Sequence, residues 1–121
     1  EAKAMIDIAS KQIIPAVIKY TKSLADTVNS VTAAGAEASV QSELLAETSG
    51  LLSDTKVALQ KLIDLDKKSE EVPEGTELAH YFHEEIVPAM AELRAPVDAL
   101  EMIVDKEMWP MPSYGDLMFE V

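Results

Sequence analysis

Three long stretches of the chain place apolar residues three and four apart, the spacing that gathers side chains on one face of an α-helix. In the first, Met5, Ile6, Ala9, Ile13, Ala16, Val17, Tyr20, Leu24, Val28 and Val31 form the stripe. It fades at Thr32-Ala33-Ala34-Gly35, where Gly35 can end a helix in the left-handed conformation. The second starts near Ser39, an N-cap candidate, and carries Val40, Leu44, Leu45, Leu51, Leu52, Ala58, Leu59, Leu62, Ile63 and Leu65, with Thr48 and Thr55 at core-like positions. A charged run, Asp66 to Glu71, and then Val72-Pro73-Glu74-Gly75 close it. The third begins near Thr76, another N-cap candidate, and its seam is Leu78, Phe82, Ile86, Met90, Leu93, Val97, Leu100 and Val104. The predicted helices span about 1–32, 39–70 and 76–107, each ~45 Å long at the helical rise. Short breaks between long amphipathic helices imply antiparallel neighbours. The expected fold is all-α, an up-down three-helix bundle over residues 1–108, followed by an extended apolar tail over 109–121.

Pro15, Pro88 and Pro96 fall inside the predicted helices. Each removes a backbone donor and crowds the carbonyl four residues back, so kinks are expected there. Ile13-Ile14-Pro15-Ala16-Val17 and Ile86-Val87-Pro88-Ala89-Met90 share a local pattern, although five residues are too few to establish a repeat. In the tail, Pro110 and Pro112 forbid a continued helix, and Ser113-Tyr114-Gly115-Asp116 reads as a turn. Trp109, Met111, Tyr114, Leu117, Met118 and Phe119 are more apolar than a free terminus tolerates. Two readings are open. The tail folds back on its own bundle, or it docks on another domain or subunit through Trp109, Tyr114, Leu117 and Phe119.

Composition narrows the function classes. The formal net charge of −12 repels phosphate backbones and anionic lipid, so neither nucleic acid nor membrane is an expected partner. No apolar run approaches the ~18–20 residues of a membrane span. Residues 1–33 carry 3 acids and 4 bases, while 34–77 carry 10 and 4, and 78–121 carry 9 and 2. The acidity thus lies in the last two thirds, as a solvated face or as a surface suited to a basic partner. With no cysteine there is no disulfide, thiolate metal site or thiol nucleophile, which fits a cytoplasmic location. The start at Glu1, inside a helical pattern with no leader, reads as a cut from something longer.

Catalytic signatures are sparse. His80 and His83 lie three apart, with Glu77 and Glu84 one turn away, but an HExxH pattern is missing, and histidines among glutamates are usually solvated. No metal site is therefore expected. A GxSxG elbow and a glycine-rich phosphate loop are both absent, and a bundle this small offers little room for a cleft that would hold paired carboxylates. No catalytic or cofactor-binding residue is assigned. The single arginine, Arg94, is expected to pair with Asp98 or Glu101. These residues suit a structural or interaction module. A free-standing acidic helical adaptor and a small metal-dependent enzyme using His80 and His83 are the alternatives.

Several segments resemble the C-terminal end of type III glutamine synthetase. They are Val87-Pro88-Ala89-Met90-Ala91-Glu92-Leu93-Arg94-Ala95-Pro96-Val97-Asp98, Leu100-Glu101, Lys106-Glu107-Met108-Trp109-Pro110 and the closing Pro112 to Val121. Ile14-Pro15-Ala16-Val17 and Lys19-Tyr20-Thr21 are similar as well, whereas 33–75 match only as generic helix. The resemblance implies a parent enzyme that joins ammonia to glutamate with ATP and a divalent metal, Mg or Mn, and assembles from stacked rings. None of that enzyme's catalytic motifs occurs in this chain. The resemblance therefore implies a helical appendage whose partners are the catalytic domain and neighbouring subunits.

Overall fold

The computed structural model describes residues 1–111. The described chain is all-helical and forms three rods. The first joins α1 (Ala2–Ile8) to α2 (Ile14–Ala33) through a π-helical turn, Ala9–Ile13. The second is the single helix α3 (Ser39–Ser69). The third joins α4 (Thr76–Tyr81) to α5 (Val87–Glu101) through a second π-helical turn, Phe82–Ile86. The first and third rods run parallel to each other and antiparallel to α3, the up-down-up order that the short connections imply.

Proline explains the π turns. An α-helical Pro15 would press its ring against the carbonyl of Lys11, and Pro88 against that of Glu84. Instead, the residue before each proline donates its N–H five residues back, Ile14 to the Ala9 carbonyl and Val87 to the Phe82 carbonyl. The wider turn takes up one extra residue, and the helix resumes with proline in its first turn, where a missing donor costs least. The two similar pentapeptides thus receive the same backbone device. Pro96 has no such turn and sits within α5.

The ends follow local rules with two differences from expectation. Gly35 adopts φ +88°, and the bonds from Gly35 N–H to the Thr32 carbonyl (3.0 Å) and Ala36 N–H to the Val31 carbonyl (3.1 Å) complete a Schellman cap on α2. Ser39 and Thr76 do not cap their helices. Each is the first helical residue, behind Ala38 and Gly75, with no side-chain cap bond. The third rod ends at Glu101, short of residue 107. Met102 and Ile103 N–H bond three residues back, to the Ala99 and Leu100 carbonyls, and Asp105 then builds a separate turn by accepting the Met108 and Trp109 N–H groups. The Asp105 carboxylate also accepts the Glu107 N–H at 2.9 Å.

Two clusters make the core. One joins Ala2 and Ala9 of the first rod, Leu59 and Leu62 of α3, and Ile86, Ala89 and Leu93 of the third. The small residues on the first rod let the helices approach closely. The other joins Ile13, Val17, Leu100, Val104 and Trp109. Thr48 and Thr55 are fully buried, as their phase in the stripe requires. Thr55 satisfies its hydroxyl by donating to the Leu51 carbonyl at 2.8 Å, while Thr48 Oγ1 has no hydrogen-bond partner. The rods are tied by Tyr81, whose hydroxyl donates to the Leu65 carbonyl at 2.7 Å, and by the ion pairs Lys3–Asp66 (2.8 Å) and Lys61–Glu92 (3.0 Å).

Candidate interaction surfaces

The Asp105 turn determines where Trp109 goes. Had the helix of α5 continued, Trp109 would stand five residues from buried Val104, ~140° round the helix and away from the core face. The break instead lays it against Ile13, Val17, Leu100 and Val104, where it is only 8% exposed, with Met111 packed beside it. Tyr20 secures the same junction by donating its hydroxyl to the Ile103 carbonyl at 3.3 Å. Trp109, read from the sequence as a docking residue of the tail, is therefore part of the bundle's own core, and the packed bundle runs to Met111. The other three tail residues, Tyr114, Leu117 and Phe119, lie outside the described residues.

Beside Trp109 is a groove of about 220 Å³ between the first and third rods, floored by Ala9, Ile13 and Leu93 and edged by Arg94, Asp98 and Glu101. Arg94 makes no ion pair with either acid among the described residues, contrary to the expected i+4 or i+7 pairing. A shallower groove runs between α3 and α5, lined by Leu51, Val57, Ala58, Ala95 and Pro96 beside the Lys61–Glu92 ion pair. Several large apolar side chains face outward, notably Val57 (71% exposed), Val40 (68%) and Met102 (86%).

His80 and His83 are both exposed. Glu77, His80 and Glu84 edge one open groove with Tyr81, and His83 is not part of it. Among the described residues no three His, Cys, Asp or Glu side chains come together to hold a metal ion. The described residues do not fit an ATP–metal site either, since no three metal-ligating side chains converge among them. Tyr81 is a partly buried titratable group. Burial pushes its phenol above the usual tyrosine value, helped by the negative charges of Glu85, Asp66 and Glu71. Its role is to hold α4 to the end of α3. No described helix is long and apolar enough to cross a membrane.

The fold and surface thus define an acidic three-helix domain that presents grooves and exposed apolar side chains, with no converged catalytic constellation among the described residues. Residues 1–32 match the glutamine synthetase C-terminal domain family. Nearly the whole chain, 98%, aligns with a type-3 glutamine synthetase of Dictyostelium discoideum at 29% identity, covering 17% of that protein. A glutamine synthetase of Bacteroides fragilis (strain YCH46) aligns over the same shares at 26% identity. One from Butyrivibrio fibrisolvens is 33% identical over 64 residues, 53% of this chain and 9% of that protein. The chain spans about a sixth of the length of the first two relatives. The similarity to the C-terminal helical domain of type III glutamine synthetase, drawn from the proline-bearing segments and the tail, is borne out.

Proposed function

We propose that this chain is the C-terminal helical domain of an ATP-dependent glutamate–ammonia ligase of nitrogen assimilation, working in the cytoplasm. In that enzyme it performs no chemistry and supports the assembly of the catalytic domain. The observation that carries the reading is the alignment of 98% of the chain with two glutamine synthetases of which it spans only 17%. In this reading ATP and Mg or Mn belong to the catalytic domain of the parent enzyme and not to this chain. The partners are its catalytic domain and neighbouring subunits, with Tyr114, Leu117 and Phe119 as the contact residues of the tail. Trp109 instead anchors the tail's first residues to the bundle.

The test is a pair of measurements. The isolated chain, given glutamate, ammonia, ATP and magnesium, is expected to form no glutamine, while the enzyme from the complete reading frame forms it. Deleting residues 112–121 from that full-length enzyme is expected to loosen its assembly in sedimentation or lower its melting temperature. Glutamine formation by the isolated chain, or a truncated enzyme as assembled and stable as the intact one, would overturn the reading.

A further inference from the structure

The first two rods outrun the third. The third rod tops out where Tyr20 bonds Ile103 and where Leu51 and Leu52 pack on the cluster of Leu100, Val104 and Trp109. No residue of 21–50 belongs to either hydrophobic cluster, although Leu24, Ala38 and Thr48 are buried. Beyond that level α2 and α3 continue as a two-helix arm of ~20 Å, closed by the Gly35 cap. The arm keeps the phase of a three-helix core. On α3, Ala58 and Leu62 pack in the cluster shared with the third rod, and the same face continues upward as Leu51, Leu44 and Val40 at spacings of seven and four. On α2, Val17 and Leu24 are buried and are followed by half-buried Val28 and Val31. Val40 is left 68% exposed. The groove that holds the third rod lower down is thus prolonged into the arm.

Charge identifies what fits it. Residues 21–50 hold four acids and one base, and that base, Lys22, is paired with Asp26 at 2.8 Å. Glu37, Glu43 and Glu47 remain, all exposed and in none of the ion pairs among the described residues. Glu43 and Glu47 lie three and seven residues after Val40, along the edge of the groove. We propose that the arm binds an amphipathic helix of another polypeptide whose apolar stripe is flanked by lysine or arginine, seated between α2 and α3 in line with α5. A second copy of the chain would present the same acids. The chain's own residues 113–121 carry Asp116 and Glu120 and no base. Both would meet like charge there. The inference does not depend on the ligase reading, because it rests on the arm alone.

The experiment titrates the whole chain into a fluorescein-labelled helical peptide of about fourteen residues, ~21 Å long, with a leucine stripe and lysine flanks. Fluorescence anisotropy is the readout. Saturable binding is expected, weakened at least ~tenfold by Val40→Asp and a few-fold by the double change Glu43→Gln/Glu47→Gln. Added salt should weaken it, and a peptide with glutamate flanks should bind at least ~tenfold less well. Val57→Asp, in the groove between α3 and α5, should leave it unchanged. Val40 is exposed, so its variant should melt like the parent. If it does not, the double glutamine variant decides in its place. Absence of binding overturns the proposal, as does equal binding by the Val40→Asp or double glutamine chain, or by the glutamate peptide. Sedimentation showing a dimer that Val40→Asp dissolves assigns the groove to a second copy. Binding that strengthens at least ~tenfold when 112–121 are removed assigns it to the tail. Either result also refutes the proposal.

Discussion

Replacing Trp109 with alanine separates a core residue from a docking residue. A tryptophan buries on the order of 200 Å². At ~25 cal/mol per Å² that is about 5 kcal/mol, an upper bound because the unfolded chain already hides part of that surface. Truncation of buried aromatics typically costs ~3–5 kcal/mol. The low end applies here, because the groove beside Trp109 is open and lets Met111 and Val104 settle into the vacated space. A loss of about 3 kcal/mol lowers the melting temperature of a domain this size by ~10 °C or more. Circular dichroism of the isolated chain at 222 nm follows the transition in both proteins. Trp109 is the only tryptophan, so fluorescence of the parent gives an independent reading. Its emission should be blue-shifted when folded and should move to that of free indole in the same transition. A W109A variant that melts with the parent, together with native emission already at the solvated position, would refute the placement of Trp109 in the bundle core.

Four further outcomes are expected. Thr48→Val, which removes a buried hydroxyl with no partner, should stabilise the chain by ~1 kcal/mol, whereas Thr55→Val should change it by ~0.5 kcal/mol or less, both by urea denaturation. Deleting Glu84 together with Pro88→Ala should convert the second π turn into plain α-helix and leave the fold intact within ~2 kcal/mol, while deleting Ala91 rotates one side of the seam by ~100° and should unfold the domain, as circular dichroism would report. Tyr81 holds its proton more tightly when folded, so its contribution is complete below the ordinary value of 10.0 and lost as pH rises through the raised one. Tyr81→Phe should cost ~1 kcal/mol near neutral pH and flatten the alkaline decline in melting temperature. Lys3, Lys11 and Lys22, held charged by hydrogen bonds to Asp66, Asp7 and Asp26, lose their smaller contributions above pH 10.5.

The period of the apolar stripes determined the number and order of the rods and the length of the first two, because a residue's phase on a helix decides whether it can be buried. Phase also placed Thr48 and Thr55 in the core despite their hydroxyls, and Gly35 marked the end of α2 because a left-handed cap suits glycine. The motifs around Pro15, Pro88 and the tail pointed to the glutamine synthetase C-terminal domain. Tertiary structure decided the rest. A proline within a helical pattern can kink, end or widen the helix, and the need to keep Ala9, Ile13, Ile86 and Ala89 facing the core selected the π turn at Pro15 and Pro88. Helical propensity would have carried α5 to residue 107. The gain from burying Trp109 against Ile13 and Val17 ended it at Glu101 instead, which took Trp109 from the tail into the core and left the arm of α2 and α3 without a third helix. No local signal reports that exchange, because it depends on contacts across some 90 residues of sequence.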